Sequence, residues 1–180
     1  MSADAFEVLG LPRLAGLDVE LVRSKYFSLA KEADSEGRQG ELNEALAWLV
    51  SPERRLKLWL QLAEPECTGA WSAVAMPEEL MSLFLQLGEL KLKADGVMQR
   101  RAAATNALSK ALLQPQALKI QTQAVGIAAA VEEQLTRLCG YLPEVDRGEM
   151  SLDEVRTLQA HLSYVVKWQA QVRELILVLG

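Results

Sequence analysis

Apolar residues recur along this chain at three- and four-residue steps and almost nowhere at two. Val22, Tyr26, Leu29 and Ala33 form one such stripe, and Leu42, Ala45, Leu46 and Leu49 form another. This spacing lines up side chains on one face of an α-helix, so the two stripes predict an antiparallel helical hairpin. Asp18 stands where a side-chain acceptor caps the first of these helices. Ser51-Pro52 signals a further start, with Ser as cap and Pro in the first turn, and Leu56, Trp59 and Leu60 carry the apolar face onward. Ala63 to Met76 reads as a linker containing Pro65, Gly69 and Trp71. Its tryptophan is expected to fold back onto a neighbouring domain, because leaving it wet forfeits a large burial term.

Pro77-Glu78-Glu79 opens a second helical block, with acids in the first turn where the helix dipole favours them. Its stripe is Leu80, Leu83, Phe84, Leu87 and Leu90. A second segment is expected from about Val97 to Leu113, with Ala102-Ala103-Ala104 allowing close approach. A third starts at Pro115 and carries Val131, Leu135, Leu138 and Leu142. A turn spans 143–150 with Gly148, and Ser151-Leu152-Asp153-Glu154 is a capping box for the last helix. Val165, Trp168, Val172, Leu175 and Leu179 line that helix. Helices with one apolar face each cannot stand alone, so they must bundle. The expected architecture is all-α: a helical hairpin domain over 1–62, a linker over 63–76 and a helical bundle over 77–180.

Composition agrees with helices and narrows the function. Half of the 180 residues are hydrophobic, and Gly and Pro number 11 and 6. The formal charge is −5. Residues 1–63 carry 8 basic and 10 acidic side chains, against 11 and 14 in 64–180. Neither part has the basic footprint of a nucleic-acid binder. The two cysteines, Cys67 and Cys139, form no Cys-x-x-Cys motif, and two thiols in a reducing compartment are the expectation. His161, the single histidine, has no partners spaced for a metal site or a catalytic triad; a surface or half-buried structural role is expected. The longest apolar stretch, Ala124 to Val131, is too short to span a bilayer, and the N-terminus lacks a basic-then-apolar signal. A soluble, cytoplasmic protein is expected, with no cofactor, no metal and no catalysis.

Specific residues carry a resemblance. Asp4-Ala5-Phe6-Glu7-Val8-Leu9-Gly10-Leu11-Pro12 is similar to the first helix of a J domain and its exit. Tyr26-Phe27-Ser28-Leu29-Ala30-Lys31 is similar to the second helix. Leu42-Asn43-Glu44-Ala45-Leu46-Ala47-Trp48-Leu49 and Ser51-Pro52-Glu53-Arg54-Arg55 are similar to the third helix and the turn after it. With a linker and bundle following, and further matches at Pro77-Glu78-Glu79-Leu80-Met81, at Glu89-Leu90 and from Leu162 to Lys167, the whole resembles HscB-type co-chaperones, which serve iron–sulfur cluster assembly.

The resemblance implies what is missing as well as what is kept. In the family, a His-Pro-Asp triplet after the second helix stimulates a DnaK-type ATPase; counting from Tyr26, that position falls on Asp34, Ser35 and Glu36. Replacing an imidazole by a carboxylate at such a contact costs about 2–5 kcal/mol, so stimulation is expected to be nearly abolished. The loop, read as Gly37 to Gly40, is shorter than the family's. The family's second helix also presents basic residues to the ATPase. Here Arg23, Lys25 and Lys31 are balanced by Asp18, Glu20 and Glu32, which leaves little electrostatic steering. Arg54 and Arg55 are further candidates for that contact, or else a solvated face with local ion pairs. By the same alignment, the family's scaffold-docking patch falls on Leu80, Met81, Phe84 and Tyr164, while Leu85, Leu87 and Gly88 stand where its charged rim would be. Those four are equally what a helix pair would bury as core. Trp48 stands at a commonly polar position, as core packing or as cover for a shortened loop. Asp34-Ser35-Glu36 is either a helix end or a rewired motif.

The expected function is protein–protein interaction: an adaptor or regulatory co-chaperone-like protein that has lost stimulation of a DnaK-type ATPase, with a scaffold, client or chaperone as its protein partner and neither nucleic acid nor membrane. Two alternatives stay open. One is a working HscB-like co-chaperone in iron–sulfur assembly. The other is a homodimeric structural or dedicated chaperone protein that reuses the fold.

Overall fold

A computed structural model describes residues 4–33, 35–64 and 74–179. Those residues are all-helical, in eight elements: α1 (Ala5–Leu9), α2 (Val19–Glu32), α3 (Glu36–Val50), α4 (Pro52–Ala63), α5 (Glu78–Ala103), α6 (Ala107–Cys139), α7 (Leu142–Asp146) and α8 (Leu152–Leu179). Asp34, Cys67 and Trp71, with the linker residues Pro65 and Gly69, lie outside the described residues. No helix among those described is long and apolar enough to cross a membrane.

The chain divides into two compact units, and they do not follow the expected boundaries at 62 and 77. One unit joins residues 1–73 to 138–162; the other joins 74–137 to 163–180. The segment 138–162 belongs with the N-terminal helices because its side chains bond to them. Asp146 accepts from the backbone N–H of Ala15 and Gly16 at 2.6 and 2.8 Å. Arg156 pairs with Glu64, and the Gln159 amide donates to Glu53 at 3.4 Å.

In the N-terminal unit, local chemistry places the first helices. Asp4 caps α1 through the amide of Phe6, and Gly10 ends it at φ 60, a left-handed conformation that glycine adopts without steric cost. Asp18 caps α2 through Glu20 N–H, as its position predicts. Phe6, Leu9, Val22, Leu42, Ala45 and Leu49 make a closed core, with Tyr26, Leu29, Ala33 and Trp48 half-buried against it. Across the hairpin, Tyr26 Oη donates to Asn43 Oδ1 at 2.7 Å, and Gln39 donates to both Tyr26 Oη and Asn43. Gly16 sits tight against α7: a Cβ there would stand 2.9 Å from Asp146 Oδ2. The span expected as a simple turn over 143–150 holds all of α7 but its first residue, and Gly148 closes its far side at φ 70.

The C-terminal unit holds three long helical stretches where four were expected. α5 runs unbroken through Gly88 and Gly96 to Ala103, and the break comes at 104–106 rather than between 90 and 97. Asn106 accounts for the restart, accepting from Ser109 N–H at 2.8 Å as a cap does. Pro115 does not begin a helix but lies inside α6. It forfeits one backbone bond there, and the helix continues because its far end is packed. Arg137 pairs with Glu79 at 2.7 Å, Gln169 donates to Glu132, and Gln121 donates to the carbonyl of Ile176. These bonds set α6 antiparallel to both α5 and α8. The core between them includes Leu80, Leu83, Leu87, Leu90, Ile120, Ala124, Val131, Val165, Trp168 and Val172. The capping box of α8 forms as expected: Ser151 N–H and Oγ both meet Glu154, and Glu154 N–H returns to Ser151 Oγ.

Candidate functional site

The first place to look is the tip of the α2–α3 hairpin. Of the three residues at the triplet position, Ser35 and Glu36 are described, and both are exposed. Ser35 is the N-cap of α3, accepting from Arg38 N–H at 3.3 Å, and Glu36 is its first residue. The stretch expected as a loop, Gly37 to Gly40, is therefore the opening turn of α3. Two helical glycines cost about 1 kcal/mol each relative to alanine. The serine cap and an acid at the positive end of the helix offset part of that. What remains between α2 and α3 is the segment 33–35.

The basic residues split. Arg23, Lys25, Lys31 and Arg54 are exposed, but Arg55 is not: 3% of it is accessible. Its Nε donates to the Ala15 carbonyl at 2.6 Å and its Nη1 to the Leu49 carbonyl at 2.5 Å. Burial lowers its pKa, and the nearby Cys139 and Asp146 oppose that shift. Arg55 is thus a structural clamp between the loop after α1 and the end of α3, and it offers no surface to an ATPase. The expectation that placed it beside Arg54 is corrected by these two bonds.

The four residues of the expected patch also divide. Leu80 is core, at 1% exposed, and lies on the inner face of α5. Met81, Phe84 and Tyr164 are surface residues, at 43%, 51% and 40%. Phe84 and Tyr164 stand over buried Trp168: the Phe84 ring lies 6.0 Å from it, and Tyr164 stacks on it at 6.1 Å with 20° between planes. Leu85 extends the same surface. The two rings, packed on a buried aromatic, form an apolar platform at the surface. Burying a large apolar side chain fully contributes about 1.5–3 kcal/mol, so each half-exposed member leaves roughly half of that for a partner. Trp168 as the floor was not foreseen; its step of four from Tyr164 on α8 was the available signal.

Other chemistry is sparse. His161 is buried, at 8% exposed, in the N-terminal unit. Among the described residues, no three His, Cys, Asp or Glu side chains converge as a metal site. A shallow groove of about 340 Å³ between α5 and α6, lined by Gln86, Glu89, Lys93, Gln123, Gly126 and Ile127, holds no convergent acid–base set.

No protein-family model matches the chain, and no curated protein matches it in sequence.

Proposed function

We propose that this protein is an adaptor that docks a protein partner on Met81, Phe84 and Tyr164, and that its J-like N-terminal helices do not stimulate a DnaK-type ATPase. One observation carries the proposal: Phe84 and Tyr164 stand exposed together over the buried Trp168, with exposed Met81 three residues before Phe84 on α5, on helices whose inner faces are already occupied. Exposed apolar clusters of this kind mark interaction surfaces. The loss of stimulation rests on residue chemistry. Ser35 is engaged as a helix cap, Glu36 is a helical residue, and Arg55 is spent internally. The resemblance to HscB-type co-chaperones makes a scaffold of iron–sulfur assembly the first partner to try, and a client or a genuine co-chaperone the next.

The test pairs two measurements. In a single-turnover assay with a DnaK-type ATPase, the protein is expected to leave the hydrolysis rate unchanged. In a quantitative binding assay with each candidate partner, Phe84→Ala/Tyr164→Ala is expected to weaken capture at least tenfold while its circular dichroism matches wild type. Robust stimulation of the ATPase would instead support a working co-chaperone. Equal capture by the double variant would remove the patch from the function.

A further inference from the structure

α5 has a second face that the bundle does not use. Its core side is Leu80, Leu83, Leu87, Leu90, Ala94 and Val97, all buried. On the opposite side, Met81, Leu85, Gly88, Leu92 and Gly96 follow one another at 4-3-4-4 steps, which is the spacing of a helix–helix seam. Leu85 is 58% exposed and Leu92 is 74% exposed. Two leucines and two glycines therefore alternate along an open line.

The glycines are not explained by the chain's own fold. A Cβ at Gly88 or Gly96 would meet nothing within 4 Å, and neither has a positive φ. Glycine is the least favourable residue in a helix interior after proline, and at these two positions it leaves hollows on the outer face that a side chain from outside the chain can enter.

The charges say what that something is. From Glu78 to Leu90, α5 carries Glu78, Glu79 and Glu89 and no basic residue. From Lys91 to Ala103 it carries Lys91, Lys93, Arg100 and Arg101 against the single acid Asp95. The two halves are net −3 and +3, a difference that changes sign at the middle of the helix. A second α5 laid antiparallel therefore meets opposite charge at both ends, and the helix dipoles oppose as well. A parallel copy meets like charge throughout. With the two-fold axis between Leu90 and Lys91, Leu85 falls opposite Gly96 of the second copy, and Leu92 falls beside Gly88 of the second copy. Each leucine then has a glycine-made hollow to enter. Exposed pairs within one copy, Glu79 with Arg137 and Glu89 with Lys93, are weak enough to rearrange.

We propose that a second copy of this chain covers the outer face of α5, forming an isologous antiparallel dimer through Leu85, Gly88, Leu92 and Gly96. Met81 and Leu85 border both surfaces, but Leu92 reads only the dimer and Phe84 with Tyr164 only the docking, so the two proposals can fail separately.

Sedimentation equilibrium of the full chain tests it. Wild type is expected to dimerise reversibly. Leu92→Glu is expected to raise the dimer dissociation constant at least tenfold with helicity unchanged, since the side chain is exposed in one copy. Phe84→Ala is expected to leave dimerisation intact. Orientation is tested by two charge variants, Lys91→Glu/Lys93→Glu and Glu78→Lys/Glu89→Lys. Each alone should dimerise at least tenfold more weakly, and an equimolar mixture should recover a heterodimer. A wild type that stays monomeric at its solubility limit overturns the proposal. So does a dimer that survives Leu92→Glu, or a pair of charge variants that fail to recover on mixing.

Discussion

Arg55→Met is the perturbation with the clearest reading, because Arg54 beside it is a built-in control. Arg55 is 3% exposed and spans two carbonyls, Ala15 and Leu49, in residues that are themselves fully buried. A hydrogen bond from a charged donor contributes about 1.5–3 kcal/mol, and a buried acceptor left without a donor costs about 1–3 kcal/mol. Methionine keeps most of the apolar stem, so packing loss is small. It also removes a buried charge, and the relief of desolvation works in the opposite direction. Two buried carbonyls that lose a charged donor outweigh that relief. The net expectation is a loss of about 2–4 kcal/mol from the N-terminal unit.

Arg54→Met, at an exposed neighbouring position, should stay within about 0.5 kcal/mol of wild type. Because the chain has two compact units, a single midpoint would blur them. Urea unfolding should therefore be followed by hydrogen exchange at the amides of α3 and α4. An Arg55→Met variant as stable as Arg54→Met would refute the clamp and return Arg55 to the surface-contact candidates.

Three further outcomes follow from the same geometry. Gly16→Ala places a Cβ 2.9 Å from Asp146 Oδ2, which pushes that carboxylate off two backbone amides; a loss of about 1–3 kcal/mol is expected. Asp146→Ala should cost a similar amount and combine with Gly16→Ala less than additively in a double-mutant cycle. Trp168→Ala empties the floor beneath Phe84 and Tyr164, and should destabilise the C-terminal unit by about 3–5 kcal/mol in thermal or urea unfolding. Glu154 is held below the ordinary glutamate value by hydrogen bonds from Ser151, and Glu149 by its bond to Arg147. Each binds fewer protons folded than unfolded in mild acid. Their stabilisation is therefore present above the unfolded value and is lost as pH falls through the folded one. Glu149→Gln/Glu154→Gln should show a shallower fall in Tm with acidification than wild type, and an identical slope would remove both groups from the pH response.

What the sequence disclosed about this fold was local, and what it hid was long-range. Asp4, Asp18, Pro52 and the Ser151–Glu154 box mark helix starts through chemistry within a few residues, and all four starts fall where that chemistry puts them. Ser51 is a partial case: it occupies the cap position of α4 but makes no side-chain bond there. The misplaced boundaries share one cause. Gly37, Gly40 and Pro115 carry breaker signals, yet all three are helical, because packing and a nearby cap outweigh a local preference of about 1–3 kcal/mol. Asn106 is the readable signal for the α5–α6 break, next to an alanine run that by itself favours continued helix. In the candidate patch, Leu80 and Phe84 both belong to the stripe expected to face the core of α5, yet only Leu80 is buried; Phe84 lies at the edge of that stripe and is half exposed. Arg55 could not be read at all. Its partners lie 6 and 40 residues away in sequence, and nothing in Ser51-Pro52-Glu53-Arg54-Arg55 distinguishes a clamp from a solvated pair.

That clamp separates the residues that hold the N-terminal unit together from those that only open α3. The Ala15–Gly16 turn is bonded from two sides. Asp146 takes its amides, and Arg55 takes the Ala15 carbonyl. The same guanidinium ties the end of α3, and the segment carrying Asp146 continues into α8. Removing Arg55 therefore loosens α1, α3 and α7 together, whereas changing Ser35 or Glu36 alters only the exposed opening of α3. The stability of the N-terminal unit therefore depends strongly on the first and weakly on the second. Arg55 is accordingly a residue of helix packing, and its presence carries no information about whether an ATPase is bound.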